Sequence, residues 1–304
     1  MPVYKAPQRD MQFVLHEMLE VEENYQQFPK YADQFNRDLI NQYLEAAADF
    51  CENEIAPINQ SGDHEGCHFE HGKVTTPKGF KEAYQKYVEL GFTSLTADPV
   101  YGGQGMPTLL RIAISEMLCA SNWSWAMYQG LSHGAMRTLE HHGTEQQKQT
   151  FLTKLIAGIW TGTMCLTESH AGSDLGLIRT KAESQADGSY AITGEKIFIS
   201  AGEHDLAENI VHIVLARLPN APSGTKGISL FIVPKFNVDE SGNIQDRNQV
   251  VCSAIEHKMG IHGNATCVMN FDAAKGYLIG PENRGLNCMF TFMNTARIGT
   301  AVQG

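Results

Sequence analysis

The sequence lacks the features that mark several classes of protein. Its seven cysteines are odd in number and never spaced as Cys-x-x-Cys, which argues against a disulfide framework and against a cysteine zinc site. It has no block of Lys and Arg and a net charge of −11, which argues against binding to nucleic acid or to an anionic membrane. Its apolar runs are far shorter than the ~18 residues of a membrane span, and its first ten residues lack the apolar core of a signal peptide. We therefore expect a reduced, cytoplasmic protein without an integral membrane segment.

Histidine offers one candidate for a metal site. His64, His68 and His71 lie close together in the sequence. The stretch is rich in Gly and polar residues, and no carboxylate-flanked helix carries the three side chains. We expect no metal there.

The first half of the chain has helical periodicity. Apolar residues recur at helical spacing in two stretches: Phe13, Val14, Met18 and Leu19, and Phe80, Tyr84, Tyr87 and Val88. Thr76-Pro77 predicts a helix start and Gly91 a helix end, while Thr144 and Gln147 predict a capping box. These signals predict an all-helical N-terminal domain over residues 1–159.

From Trp160 onward the pattern changes to short β-branched runs. They are "WTGTMCLTE", "YAITGEKIFIS", "NIVHIVLARL" and "GISLFIVP", with turns expected at Asp187-Gly188 and Ser241-Gly242. We predict a β-barrel or sandwich over residues 160–282. Helical spacing returns at Gly285, and the sequence stops within that pattern, so residues 283–304 are expected to begin a C-terminal helical bundle. The predicted fold class is thus α+β and multidomain.

One motif, "MCLTESHAGSDLG" at residues 164–176, combines a strand with a turn of small residues. Gly172 would let backbone approach a ligand closely, and Ser173 with free N–H groups would supply donors, as a phosphate requires. A flat ring with a polar edge would suit the motif as well. So would an ordinary strand-to-turn junction capped by Ser and Asp.

The order of these segments resembles the acyl-CoA dehydrogenase family. The motifs that carry the resemblance are "YGGQG", "HGTEQQKQTFLTKLIAG", "CLTESHAGSDLG", "GEKIFIS", "KMGIHGNATCVMNFD" and "GPENRGLNCMFTFMNTARIG". "YKAPQRDMQFVL" and "EHKMGIHGNATCVMNFD" look like the enlarged bacterial branch that contains fatty acyl-CoA and 3-methylmercaptopropionyl-CoA dehydrogenases. The resemblance covers essentially the whole chain and implies a protein truncated before its C-terminal helical domain.

The resemblance implies a flavin enzyme that introduces a 2,3-double bond into an acyl-CoA thioester. The reaction removes a proton from the α-carbon and a hydride from the β-carbon, and no side chain can accept a hydride, so FAD is the expected cofactor. It also implies an electron-transfer flavoprotein as the acceptor and a homo-oligomer for the complete protein. Two alternatives stay open: an acyl-CoA oxidase-like flavoprotein, and a non-catalytic fragment that binds flavin or acyl-CoA.

The resemblance also assigns the cofactor site to particular residues. The residues expected to bind FAD are Met164, Leu166, Thr167, Gly172, Ser173, Phe198 and Ser200. Phe198 and Ser200 stand where the family usually has Trp and Thr, and both replacements keep the role. Ser169-His170 replace the common Pro-Gly, and we expect His170 to lie in solvent.

No residue of this chain matches the catalytic base of the family. Most members supply a Glu from the last helical domain, and a minority place it one residue before an Arg, a position held here by Ala296 ahead of Arg297. The base is therefore expected beyond Gly304, and the isolated chain is expected to be inactive; Glu168 or Glu116 would be the base if it were active. Ser173 and Arg297 are expected to contact the substrate.

Overall fold

The structure is a computed structural model that describes residues 3–31 and 35–303. In this part of the chain, helices occupy most of the first 156 residues and return after Gly285. Their bounds are α1 (Gln8–Gln12, continued by a π-helical segment Phe13–Met18), α2 (Val21–Gln26), α3 (Arg37–Phe50, continued by a π-helical segment Cys51–Ile55), α4 (Asn59–Glu65), α5 (Phe80–Glu89), α6 (Thr108–Ser121), α7 (Trp123–His142), α8 (Glu145–Gln147, continued by a π-helical segment Lys148–Leu152), α9 (Thr153–Ile156) and α10 (Gly285–Gln303).

The helical part has its own core, in which aromatic rings join α3, α5 and α7. Phe50, Tyr87 and Trp125 are buried, and their ring centroids lie 5.3–5.7 Å apart. Aromatic side chains bury a large apolar area at such spacings, so this cluster fixes the angles between the three helices.

Several local signals are confirmed, and two are wrong. The capping box of Thr144 and Gln147 is present, and α5 ends just before Gly91, whose φ is 75°. However, α5 begins at Phe80 and not at Thr76-Pro77, because the N–H and hydroxyl of Thr76 instead donate to Asp205 at 3.0 and 2.8 Å. A contact distant in sequence has overridden the local capping signal.

The apolar face predicted near the N-terminus is the second wrong prediction. Its four residues, Phe13, Val14, Met18 and Leu19, are exposed, whereas Met11 and Leu15 are buried. The cause is the π-helical segment Phe13–Met18, since i→i+5 bonding inserts residues into the turn and changes which side chains face the core.

Strands dominate between α9 and α10, with one unpredicted hairpin earlier. Their bounds are β1 (His68–Glu70), β2 (Lys73–Thr75), β3 (Trp160–Cys165), β4 (Lys181–Ser184), β5 (Tyr190–Ser200), β6 (Asn209–Arg217), β7 (Ile228–Pro234), β8 (Phe236–Val238), β9 (Ile244–Arg247), β10 (Val250–Ile255) and β11 (Thr266–Ile279). All four runs read from the sequence are strands, and the turns at Asp187-Gly188 and Ser241-Gly242 are present, with both glycines at positive φ.

Five strands close into a ring, so the β part is a barrel. β4 pairs with β5 and β6, β6 with β7, β7 with β11, and β11 with β5. β3 pairs in parallel with residues 209–214 of β6, on the edge that β4 meets at Arg217, and β10 adds to β11. The predicted α+β class, with a helical part followed by a β part and a further helix, is confirmed.

Helix α7 connects the barrel to α10 through two glycines. A Cβ on Gly162 of β3 would overlap Ala135, and a Cβ on Gly134 would overlap the ring of Phe292. The missing side chains let α7 lie directly against β3 on one side and α10 on the other. Among the described residues no helix is long and apolar enough to cross a lipid bilayer.

Candidate functional site

The ends of β3 and β5 lie side by side and bring two predicted groups of residues together. The N–H of Ile197 donates to the carbonyl of Thr167 at 2.9 Å, and the ammonium of Lys196 donates to the carbonyl of Leu166 at 2.9 Å. The residues after β3 are therefore fixed next to Phe198 and Ser200, as the resemblance implies.

A β-bulge turns Phe198 outward at this place. Ile199 pairs with Cys267 but Lys196 pairs with Met269, so two residues of β5 oppose one residue of β11. Phe198 has a φ of 59° and is 59% exposed, although it lies within a strand whose neighbours Lys196 and Ile199 are buried. Bulges re-aim side chains next to functional sites, and a non-glycine residue at positive φ is a strained conformation typical of them.

Two hydroxyl-bearing residues lie near Phe198: Ser200 two residues along β5, and Thr167 on the neighbouring segment, whose carbonyl accepts from Ile197. Thr167 and Ser200 are half-buried, and neither hydroxyl makes a hydrogen bond to another described residue. Met164 on β3 is also half-buried and packs on the apolar cluster beneath. An apolar surface beside two free hydroxyls can bind a flat heteroaromatic ring that carries polar atoms along its edge.

The turn after β3 presents its small residues to solvent. Glu168 and Ala171 exchange two backbone hydrogen bonds of 2.9 and 3.0 Å, which leaves Ser169 and His170 at the tip. Gly172 and Ser173 follow and are exposed, and a Cβ on Gly172 would come within 3.2 Å of the Thr167 methyl group. A side chain at position 172 would therefore press on the hydroxyl-bearing residue of the site.

His170 is exposed, as expected, and its imidazole also makes local contacts. Its side chain is 35% exposed, and Nε2 lies 3.2 Å from the carbonyl of Leu177 and 3.6 Å from Glu168 Oε2. The imidazole links the tip of the turn to the short segment that follows it.

Glu168 anchors the turn from below. Its carboxylate is 5% exposed and accepts bonds from Lys196 Nζ at 2.9 Å, from the Thr180 hydroxyl at 2.6 Å, and from the N–H groups of Arg179 and Thr180. Burial alone would raise the pKa of Glu168, but the Lys196 charge and these hydrogen bonds outweigh it and lower the pKa. A carboxylate stabilised in its charged form by four donors is a structural group, so Glu168 is unsuited to the role of base.

Sequence reasoning missed Lys196, which is fully buried. The signal was a charged residue inside the strand run "EKIFIS", at a position where alternation predicts an inward side chain. Its buried partner could not be read from neighbouring residues.

A cavity of about 270 Å³ lies between α6, α7 and α10. Ala296, the position that the resemblance matches to a base in a minority of the family, lines it, and so do Arg111, Gln129 and His133; no Asp or Glu of the described chain does. Leu131 also lines this cavity and packs on the same apolar cluster as Met164 and Leu166. The cavity and the end of β3 therefore border the same apolar cluster, although no residue of β3 lines the cavity.

The two other residues named for catalysis or substrate binding lie outside this cavity. Arg297 is exposed, donates to Asn294 Oδ1 at 2.7 Å and lies over the ring of Phe290. Glu116 is exposed on α6. Neither is among the lining residues.

The histidines considered for a metal site make local contacts. His68 Nε2 lies 3.1 Å from Glu65 and His71 Nε2 lies 3.6 Å from Glu70, both at the surface. Over residues 3–31 and 35–303, no group of three His, Cys, Asp or Glu side chains is arranged to hold a metal ion.

Comparison with known proteins identifies two family domains. Residues 38–159 match the acyl-CoA dehydrogenase N-terminal domain, and residues 163–274 match the acyl-CoA dehydrogenase middle domain. A 3-methylmercaptopropionyl-CoA dehydrogenase from Ruegeria pomeroyi is 44% identical over 99% of this chain and 51% of its own length. A butyryl-CoA dehydrogenase from Syntrophomonas wolfei is 38% identical, again over 99% of this chain and 51% of its own length.

A solved structure agrees with these matches. The butyryl-CoA dehydrogenase from Megasphaera elsdenii superimposes with a TM-score of 0.73 and 28% identity, covering 89% of this chain and 66% of that one. The chain spans about half the length of the two curated relatives, 51% in each case. The resemblance inferred from the motifs is confirmed: this chain belongs to the acyl-CoA dehydrogenase family.

Proposed function

We propose that the chain is the flavin-binding part of an FAD-dependent acyl-CoA dehydrogenase, with the isoalloxazine ring against the ends of β3 and β5. The observation that carries the proposal is the bulge that exposes Phe198 beside the free hydroxyls of Thr167 and Ser200. FAD, when bound there, would accept the hydride that leaves the β-carbon of the acyl group.

The residues of the site would each hold a different part of the cofactor. The hydroxyls of Thr167 and Ser200 would donate to the polar edge of the ring, and Phe198 would cover an apolar face and exclude water from it. The exposed turn at Gly172 and Ser173 would receive the phosphate groups through its N–H groups, with Ser173 close to the CoA side of the substrate. Met164 and Leu166 would support the ring from β3.

The acyl chain would enter the cavity between α6, α7 and α10. Its lining is mostly apolar, and Leu131 of that lining packs against the same apolar cluster as Met164 and Leu166 of the proposed ring site. Enclosure there would keep water away from the thioester while the proton and hydride leave. Because no Asp or Glu of the described residues lines the cavity, and Ala296 stands where the resemblance would place a base on α10, we propose that the base lies outside residues 1–304.

The whole protein would therefore need a further segment for activity. We propose that this segment supplies the carboxylate for α-proton abstraction, that an electron-transfer flavoprotein takes up the electrons, and that the complete protein is a homo-oligomer. Arg297, exposed on the face of α10 opposite the cavity, would be available to contact the CoA part of the substrate.

The test is an FAD titration of the purified chain, followed by flavin fluorescence. We expect Thr167→Val and Ser200→Ala each to weaken FAD binding by roughly 5- to 15-fold, because each removes one hydrogen bond worth about 1–1.5 kcal/mol. Thr75→Val on β2 and Ser184→Ala on β4 make the same chemical changes at exposed positions and should bind FAD as the wild type does. A wild-type chain that binds no FAD, or site variants indistinguishable from these controls, would contradict the proposal.

A further inference from the structure

The cavity between α6, α7 and α10 contains an arginine without a counter-charge. Arg111 lies in the apolar run "TLLRIAIS" of α6, and no carboxylate of the described residues lies within ion-pair distance of its guanidinium. Its Nε is buried and has no hydrogen-bond partner among those residues. The residue as a whole is half-buried, and a partly buried charge without a partner is still costly, so an anionic ligand would stabilise it.

The neighbours of Arg111 add to the positive field. The nearby ionisable groups are the Tyr87 phenol, the Cys119 thiol and a second guanidinium on Arg137. Burial, reinforced by Arg111 and Arg137, holds the pKa of His133 well below its ordinary value, so the imidazole is neutral at pH 7. None of these groups neutralises the charge of Arg111.

A second unpaired donor lines the same cavity. Gln129 Nε2 is buried and has no acceptor among the described residues. The guanidinium of Arg111 and the amide N–H of Gln129 are donors that lack acceptors within the described chain. A planar anion with two oxygens, such as a carboxylate, could accept hydrogen bonds from both. The remaining lining includes Trp123, Met127 and Met136, which suit an aliphatic chain.

We infer that this cavity binds an acyl chain that ends in a carboxylate, with Arg111 as the residue that determines specificity. The substrate class is thus a dicarboxylic acid bound to CoA through one end. This inference rests on the proposed function, because the acyl-CoA dehydrogenase reaction is what would place an acyl chain here. At about 270 Å³ the cavity falls below the ~300–1,000 Å³ that drug-sized ligands occupy, so it accommodates the acyl part and not the nucleotide of CoA.

The test uses small esters that need neither CoA nor FAD. Binding of monomethyl succinate, glutarate and adipate to the purified chain is measured by calorimetry at fixed ionic strength, and each is compared with the methyl ester of the monocarboxylic acid of equal length. We expect the best carboxylate probe to bind roughly 10- to 100-fold more tightly than its neutral counterpart, the usual effect of a hydrogen bond to a charged group. Arg111→Met should abolish this preference, whereas Arg9→Met, at an exposed arginine on α1, should keep it.

A second measurement separates binding from folding. Thermal unfolding of Arg111→Met without ligand should occur at or above the wild-type temperature, because a half-buried charge without a partner has been replaced by an apolar side chain. Strong destabilisation would show that Arg111 has a structural partner and would overturn the inference. So would equal affinity for acetate and the best monoester, because the site would then select any anion.

The outcome is independent of the flavin proposal. Tight FAD binding without a carboxylate preference would overturn this inference alone, while a carboxylate preference that depends on Arg111 in a chain that binds no FAD would overturn only the proposed function.

Discussion

The buried pair of Lys196 and Glu168 allows a quantitative prediction. Replacing Lys196 with Met keeps the length of the side chain and its apolar stem but removes the ammonium that contacts Glu168 Oε1 and the Leu166 carbonyl. Glu168, 5% exposed, is left with its three bonds from Thr180 and Arg179 and without the charge of Lys196.

The expected loss in the free energy of unfolding is about 3–5 kcal/mol at pH 7, the range for breaking a buried ion pair from one side. Its pH dependence has a definite sign. The pKa of Glu168 is lowered in the folded wild type, so its stabilisation is present above the unfolded pKa of about 4.3 and is lost as pH falls below that value. Without Lys196 the folded pKa rises, so the deficit of the variant is largest at pH 7 and shrinks as Glu168 takes up a proton.

Urea denaturation of the chain at pH 7 and pH 5 measures both effects. Lys181→Met, at an exposed lysine on β4, is the matched control and should change stability by less than about 0.5 kcal/mol. Adding Glu168→Gln to Lys196→Met should recover part of the loss, with an interaction energy of about 0.5–3 kcal/mol. If Lys196→Met costs no more than Lys181→Met, the pair does not anchor the turn and our account of Glu168 is wrong.

Three further predictions follow from other parts of the structure. Gly172→Val should weaken FAD binding at least tenfold in the fluorescence titration, because its side chain would press on the Thr167 methyl group; a Val variant with wild-type affinity would refute the assignment of the turn. The chain of residues 1–304, supplied with FAD, acyl-CoA thioesters and an artificial electron acceptor, should show no turnover, since a positioned base is worth roughly 10²–10⁴-fold; bleaching of the flavin at the rate of a complete relative would disprove this. Burial and the nearby Lys235 charge lower the pKa of His204 and of His212 to about 3, so stability should fall by about 1.4 kcal/mol per pH unit for each as pH drops below about 6.5. His212→Gln should reduce the slope by the contribution of one histidine, about 1.4 kcal/mol per pH unit, in urea titrations between pH 6.5 and pH 5, and an unchanged slope would exclude this cause.

The sequence was sufficient wherever a local signal and a motif coincided. The strands that end near Thr167 and Phe198 were predicted from β-branched runs, and the family motifs predicted that their ends meet. The details that failed depend on contacts distant in sequence: Asp205 takes the N–H and hydroxyl of Thr76, and a π-helical segment changes the phase around Leu15. Local periodicity contains neither kind of information.

The chemistry of the site shows the same division. Free hydroxyls at Thr167 and Ser200 could be expected from their position in the motifs, whereas the outward Phe198 depends on a bulge opposite β11. The sequence places Arg111 within an apolar stretch of α6. Only the structure shows that it lines a cavity in which no described Asp or Glu is a lining residue. The partners of a charged side chain in the interior depend on tertiary packing, so they could not be predicted from the sequence.

The closed ring of strands also constrains the order in which parts of the protein can fold during synthesis. β11 is the last strand of the ring in the chain, and it pairs with β5, β7 and β10. The barrel therefore cannot close before residues 266–279 have left the ribosome, while the aromatic cluster of Phe50, Tyr87 and Trp125 is complete more than a hundred residues earlier. Long-range strand pairing is slow, and domains fold as units during synthesis. The helical part should therefore form first, and its helix α7 would provide the surface against which β3 packs.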